Sequence, residues 1–164
     1  MKRSEKMIKK IVVFALSFIL AFAFLAIPTV DQTVYAQGGY ENHDWNMEVL
    51  RLVNEIRAQY GLGALVYDNA LDPYTDVRAA DIQIYFGHVR PDGSSIVAGQ
   101  PRLHGENLAI YALSPAEVVN AWMASPTHAA NILEPSFVTM SCANYIPYDD
   151  PGAISWAQHF SCYY

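Results

Sequence analysis

From Phe137 to Tyr163 the hydrophobic pattern repeats every second residue, and no other run limits the possible folds as much. Val138, Met140, Cys142, Asn144 and Ile146 alternate with Phe137, Thr139, Ser141, Ala143 and Tyr145. After Asp149-Asp150-Pro151-Gly152 a second run sets Ile154, Trp156, Gln158, Phe160 and Cys162 against Ser155, Ala157, His159, Ser161 and Tyr163. Neighbouring side chains on a strand point to opposite faces, so two such runs around a Pro-Gly turn predict a β-hairpin.

Ahead of the hairpin the period is helical. Val49, Leu52, Val53, Ile56 and Tyr60 share one face of a helix expected over 47–60, with Glu48, Arg51, Glu55 and Arg57 elsewhere and Gly61 as its left-handed end. A second helix is expected over 73–85, with Asp72 as cap and Pro73 in the first helical position. Asp81 falls on its apolar side without an evident reason. Residues 86–103 form a long loop around Pro91-Asp92-Gly93, and loops of that length in small domains tend to be functional. Ser114-Pro115-Ala116-Glu117 is a capping box that opens a helix carrying Val118, Val119 and Trp122, so Glu117 is committed to the cap. Ser125-Pro126 opens a short helix over 126–133.

The N-terminus points to export. Five basic residues within Met1–Lys10 precede an apolar run over 11–27, Pro28 breaks it, and Val34-Tyr35-Ala36 offers a signal-peptidase site. The expected organisation is a signal peptide over 1–36, a flexible lead-in over 37–46 and one domain over 47–164. The alternative is an uncleaved anchor, although a spanning helix needs about 20 apolar residues. Without residues 1–36 the chain keeps five arginines, no lysine and fourteen acids, a net charge of −9 with neutral histidines. That excludes nucleic acid as a partner, because such binding needs basic residues to displace counterions. It also argues against anionic membrane surfaces.

Cys142 and Cys162 both lie in the exported part, and an even count outside the cell favours one disulfide, worth roughly 3 kcal/mol in the chain-entropy picture. If Cys142 faces Cys162, then Asp150 faces Ile154 and the turn falls on Pro151-Gly152-Ala153, so bridge and turn agree on one register. Two free thiols are the alternative.

The chemistry concentrates in His104-Gly105-Glu106-Asn107-Leu108-Ala109 and in two further histidines, His88 in the long loop and His128 at the start of the short helix. If these segments converge, they build a His/Glu pocket. Asn107 is read as structural, bonding to loop backbone. His104 is read as a surface residue and His159 as a hydrogen-bonded strand histidine that could also line the cleft. Ser125, three residues before His128, could pair with it as nucleophile and base, but a helix cap is the more natural role before Pro126.

Taken in order, Leu50–Arg57, Leu65–Leu71 with Val77–Ala80, Phe86-Gly87-His88 through Gly93, His104–Ala109, Ala121–Leu133 and Trp156–Phe160 resemble the bacterial secreted branch of the CAP superfamily. This group comprises the cysteine-rich secretory, antigen 5 and pathogenesis-related proteins, with sperm-coating-protein-like (SCP-like) domains. The resemblance covers about residues 47–163 and implies an α+β fold, an α-β-α sandwich with a small antiparallel sheet between helical layers. It places His88, His128 and Glu106 on three of the four polar positions of the family's cleft. The second glutamate would fall three residues after Trp122, where this chain has Ser125. Ser141 stands where a glycine is usual.

Two imidazoles with open positions could hold Zn²⁺ or another divalent cation weakly, with Glu106 as third ligand or as base toward bound water. Three function classes stay open. The leading one is an extracellular binding module whose cleft takes a small ligand, lipid or protein, expected as a monomer and not as an enzyme. The others are a metal-assisted hydrolase acting through Glu106, His88 and His128, and a structural envelope component.

Overall fold

The computed structural model describes residues 38–164; the expected signal peptide lies outside them. The chain runs β1 (Gly39–Tyr40), α1 (His43–Gln59), β2 (Val66–Tyr67), α2 (Asp72–Ile84), β3 (Gly105–Ile110), α3 (Pro115–Ala124), α4 (Pro126–Ile132), β4 (Thr139–Pro147) and β5 (Ser155–Ser161). The sheet order is β1-β4-β5-β3, with β2 adding in parallel to β4. The expected hairpin is therefore the centre of the sheet, and the strand bearing Glu106 pairs with its second arm.

The alternation decides what packs on each side. Met140, Cys142, Ile146, Ile154, Trp156 and Phe160 face one core with Val49 and Val53 of α1, Val118, Val119 and Trp122 of α3, and Ile132 of α4. Trp45 stacks on Trp156 at 5.9 Å and Phe137 on Phe160 at 5.1 Å. The other face carries small residues, Ala143 and Ala157, beside Leu108 and Tyr145. Ala79, Ala80 and Ile82 of α2 pack there. Helices thus cover both sides of the sheet, which is the expected α-β-α arrangement. Small side chains on the α2 side let the helix backbone approach closely: the Ser155 hydroxyl donates to the Ala79 carbonyl at 2.6 Å.

The hairpin register differs from expectation. Cys142 pairs with Gln158 and Tyr145 with Ser155. A slip of four residues leaves every side chain on its original face, so the polar-apolar alternation does not distinguish the two registers. The disulfide does not form: Cys142 is buried and free, and Cys162 is partly exposed and free. Cys162 lies four residues beyond the partner of Cys142, about 13 Å along the strand, whereas a bridge needs Cα atoms about 4.4–6.8 Å apart. Its sulfur instead lies 3.8 Å from the Ser136 hydroxyl.

Helix limits fall within a residue of expectation except at the start of α1, which begins at His43 because Asn42 caps it by accepting from the Trp45 amide. The cap of α2 differs. The helix begins at Asp72 itself, and Leu71 precedes it without a side-chain cap. The Asp72 carboxylate is occupied elsewhere, accepting from the Tyr67 hydroxyl and, at 2.9 Å, from Ser141 Oγ. Ser114 and Glu117 cap α3 as expected, Ser114 Oγ accepting from the Glu117 amide at 3.2 Å while the Glu117 carboxylate accepts from the Leu113 amide at 2.8 Å.

Two charged residues expected at or outside the core edge are buried. Asp81 is 1% exposed and accepts from Arg90 Nε at 2.8 Å, which ties the long loop to α2. Arg57, also 1% exposed, donates to the carbonyls of Gly63, Ile132, Glu134 and Phe137 at 2.8–3.2 Å. One guanidinium thereby joins the end of α1 to the segment leading from α4 into β4.

Candidate functional site: a carboxylate held between α2 and β5

Glu106 is the second residue of β3 and lies opposite His159 of β5. Strand alternation turns both toward α2, where Thr75 and Arg78 stand one turn apart. The Glu106 side chain is 2% exposed. Its Oε2 accepts from Arg78 Nε at 2.8 Å and from His159 Nε2 at 3.1 Å. Its Oε1 lies 2.8 Å from His88 Nδ1 and 3.5 Å from Arg78 Nη2. Arg78 Nη2 also donates to the Gly87 carbonyl, which fixes the residue before His88. The Thr75 hydroxyl lies 3.0 Å from His159 Nδ1 and 3.0 Å from the Leu71 carbonyl.

Burial pushes the Glu106 carboxyl up, but the hydrogen bonds from His159 and Arg78, with the guanidinium charge, override it and hold the group at about 2. It is therefore ionised at any pH near neutral, and all its near partners are donors. A proton on Nδ1 of His88 satisfies that contact, which leaves Nε2 with the lone pair. The His88 side chain is 63% exposed, so an oriented imidazole is presented to solvent on a buried anion.

His128 stands at the start of α4, half-buried. Burial, and then the nearby His88, push its pKa down, so the ring stays neutral further into the acidic range. Asn107 places it: its amide donates to the His128 carbonyl at 3.1 Å and to Gln158 Oε1 at 3.0 Å. Asn131 closes the arrangement, donating to Asn107 Oδ1 at 2.8 Å and to the Glu106 carbonyl at 3.0 Å. Asn107 thus has the structural role expected of it. Gly105 is required here, since a Cβ would come within 2.8 Å of the Phe137 ring.

Ser125 and His104 stand apart from this chemistry, whereas His159 belongs to it. Ser125 occupies the α3–α4 junction, its hydroxyl 3.1 Å from Thr127 Oγ1, with no side-chain cap bond to α4. His104 packs edge-on against Tyr163 at 5.1 Å. His159 is the satisfied strand histidine, 2% exposed, and it also forms one wall of the Glu106 cluster. Arg78 and Thr75 are neighbours of the candidate site that the sequence reading missed. A signal existed for Arg78: it is the sole basic residue of α2, next to Ala79-Ala80, and a buried carboxylate requires a counterion.

A bound cation meets a short donor set. No group of three or more His, Cys, Asp or Glu side chains among the described residues is arranged to hold a metal ion. Both Glu106 oxygens are already engaged, Oε2 by Arg78 and His159 and Oε1 by His88, so turning the carboxylate to an ion would disturb the pairing of a buried guanidinium. The donors left for an ion are the imidazoles of His88 and His128, fewer than a three-ligand zinc site uses, with Glu106 bonded behind His88.

The family model of the cysteine-rich secretory protein family, CAP, matches residues 50–164. An uncharacterized protein of Bacillus subtilis, YkwD, is 32% identical over 124 residues, which are 71% of this chain and 46% of that protein. The chain therefore spans about half of that relative. Among solved structures, an extracellular protein of Bacillus anthracis containing an SCP domain aligns with a TM-score of 0.62 at 21% identity, over 73% of this chain and 40% of that one. An outer surface protein of Borrelia burgdorferi aligns at 0.61 with 18% identity, over 75% and 97% of the two chains. At these identities the likeness carries the fold alone.

Proposed function

This chain belongs to the cysteine-rich secretory protein (CAP) family, and we propose that its domain is an extracellular binding module that works without turnover. The observation that carries the reading is the state of Glu106. A general base must take up a proton near neutral pH and a zinc ligand must turn an open lone pair to the ion, yet this carboxylate holds a proton only far below neutral pH, is buried, and accepts from Arg78, His159 and His88. Its service is to hold His88 in one tautomer and orientation. The accessible chemistry is then the imidazoles of His88 and His128, suited to a small ligand with a hydrogen-bond donor or to a divalent cation held weakly. Export is supported by the N-terminal pattern and by solved neighbours described as extracellular or outer surface proteins.

Zinc is the simplest probe of the imidazole pair. Calorimetric titration of the full chain at neutral pH should give a weak saturable heat that disappears in His88→Ala and in His128→Ala. It should fade in the wild type below about pH 6, as imidazoles take up protons. Identical heats in all three proteins would remove the cation from the account. Hydrolysis of a peptide or ester library that vanishes in Glu106→Gln would overturn the binding reading in favour of a hydrolase.

A further inference from the structure

Residues 38–42 form a strap that leads β1 into α1 and covers one end of β4. β1 pairs with Ile146 and Pro147, and Tyr40 stacks on Tyr148 at 5.6 Å. Gly39 lies so close to Tyr145 that a Cβ would strike the ring. The Asn42 amide donates to Asn144 Oδ1 at 3.0 Å. Asn144 Nδ2 donates to the Asn42 carbonyl at 2.8 Å and to Asn46 Oδ1 at 2.6 Å. The buried Asn46 in turn donates from Nδ2 to Glu41, so docking of the strap fixes the place of a carboxylate.

That carboxylate meets two more. Asp72 and Asp76 stand one turn apart on α2 and so share a face. Asp72 accepts from the Tyr67 hydroxyl and from Ser141 Oγ. The His43 ring lies edge-on to Tyr67 at 5.9 Å, with Nδ1 3.9 Å from Glu41 Oε1. Asp76 Oδ1 is sealed from solvent and has no hydrogen-bond partner among the described residues. An ionised oxygen so placed lacks both water and a donor, and a bound proton removes that cost. Burial, then the charges of Glu41 and Asp72, push the Asp76 carboxyl up to about 7. Glu41 is pushed up by burial and then by Asp72. The buried Cys142 thiol is pushed up by burial and then by all three acids. The groups around Asp76 are thus Glu41 of the strap, His43 of α1, Tyr67 of β2, Asp72 of α2 and Cys142 of β4. Of these, His43 alone can turn positive, and it stands beside Glu41.

We propose that Glu41, Asp72 and Asp76 form a proton-dependent latch, which holds the strap on β4 while they share a proton and weakens when the proton is lost. The sign follows from linkage. Docked Asp76 binds its proton more tightly than an ordinary aspartate, whose value is 3.8. Docking is therefore strongest below pH 3.8 and weakens as the pH rises from there to about 7. Release of the strap bares the edge of β4 at Ile146 and Pro147. The latch is independent of the His88 region and of whatever that region binds.

The test reads the Asn42 amide, which docking shields through Asn144, by hydrogen-exchange NMR of the full chain between about pH 5 and pH 7.5. Protection relative to an unstructured peptide should fall at least about tenfold across that range in the wild type, since each pH unit of linkage is worth up to about tenfold. Asp76→Asn should remove the dependence and hold protection at the wild-type value of the acid end. Glu41→Gln, a milder change on a partly exposed side chain, should shrink the fall and bring the Asp76 carboxyl-carbon midpoint below about 7. His43→Gln should leave the fall in place. The proposal is overturned if wild-type protection is flat, if Asp76 titrates near its ordinary value of 3.8, or if both acid variants keep the wild-type fall. Loss of the fall in His43→Gln would likewise overturn it, by assigning the response to the imidazole.

Discussion

Arg78→Met should unfold about 10–20 °C below the wild type at neutral pH. The substitution keeps the volume of the stem and removes the charge that compensates Glu106, whose side chain is 2% exposed. Removing one partner of a buried pair typically costs about 3–5 kcal/mol, because the remaining ion is stranded. In a domain of this size each kcal/mol is worth roughly 3–5 °C.

The pH dependence gives the sharper signature. In the wild type the folded carboxyl of Glu106 lies at about 2, below its ordinary value of 4.5. The native state therefore binds fewer protons than the unfolded chain across that window. Its contribution, on the order of 3 kcal/mol, is fully present above pH 4.5 and is lost as the pH falls through 4.5 toward 2. In Arg78→Met, burial without the guanidinium raises the carboxyl instead, so the slope inverts: the variant should gain stability relative to wild type on acidification from pH 7 to about 5. Adding Glu106→Gln to Arg78→Met should recover part of the loss, since the stranded charge is gone. A variant that melts with the wild type and keeps its acid slope would show that the pair contributes nothing.

Arg57→Met is the second large effect, and it acts without any carboxylate. Four backbone carbonyls, those of Gly63, Ile132, Glu134 and Phe137, lose their shared donor. Orphaned buried acceptors cost about 1–3 kcal/mol each, less where water can enter, so a net loss of about 3–5 kcal/mol is expected. Hydrogen exchange should accelerate first in residues 132–138, the segment the guanidinium ties to α1. Arg57→Lys should recover only a part, because an ammonium is a point donor and cannot span the planar fork. A loss under about 1 kcal/mol, or no change in exchange over 132–138, would assign the burial of Arg57 no role in holding that segment.

These two arginines also mark where the sequence stops being legible. The helices and the hairpin follow from apolar periodicity, because burial of one face is what the pattern records. His88, Glu106 and His128 stand out as polar residues in turn-rich segments. Arg57 and Arg78 do not, because each lies in a helix where a basic residue reads as solvent-facing. Their burial is justified by partners far away in sequence, a set of carbonyls for Arg57 and a strand carboxylate for Arg78. Asp81 is the same case with Arg90.

The hairpin register failed for another reason. Alternation fixes which face a side chain takes but not its partner, and the assumed Cys142–Cys162 bridge supplied a partner that the fold does not use. The proline after Asp72 points to a helix cap, while the hydroxyl of Ser141 on β4 and the phenol of Tyr67 claim its carboxylate. Ser141 itself, where a glycine is usual in resembling chains, is accounted for by that bond.

The central claim is that Glu106 is a permanently ionised anchor for His88 and neither a base nor a metal ligand. Carbon-detected NMR of the Glu106 carboxyl carbon across an acid titration reads this directly. The account predicts no inflection between pH 4 and 8 and a midpoint at about 2. A midpoint at 4.5 or above would mean that Arg78 and His159 do not hold the charge, and would return Glu106 to the role of a proton-exchanging group.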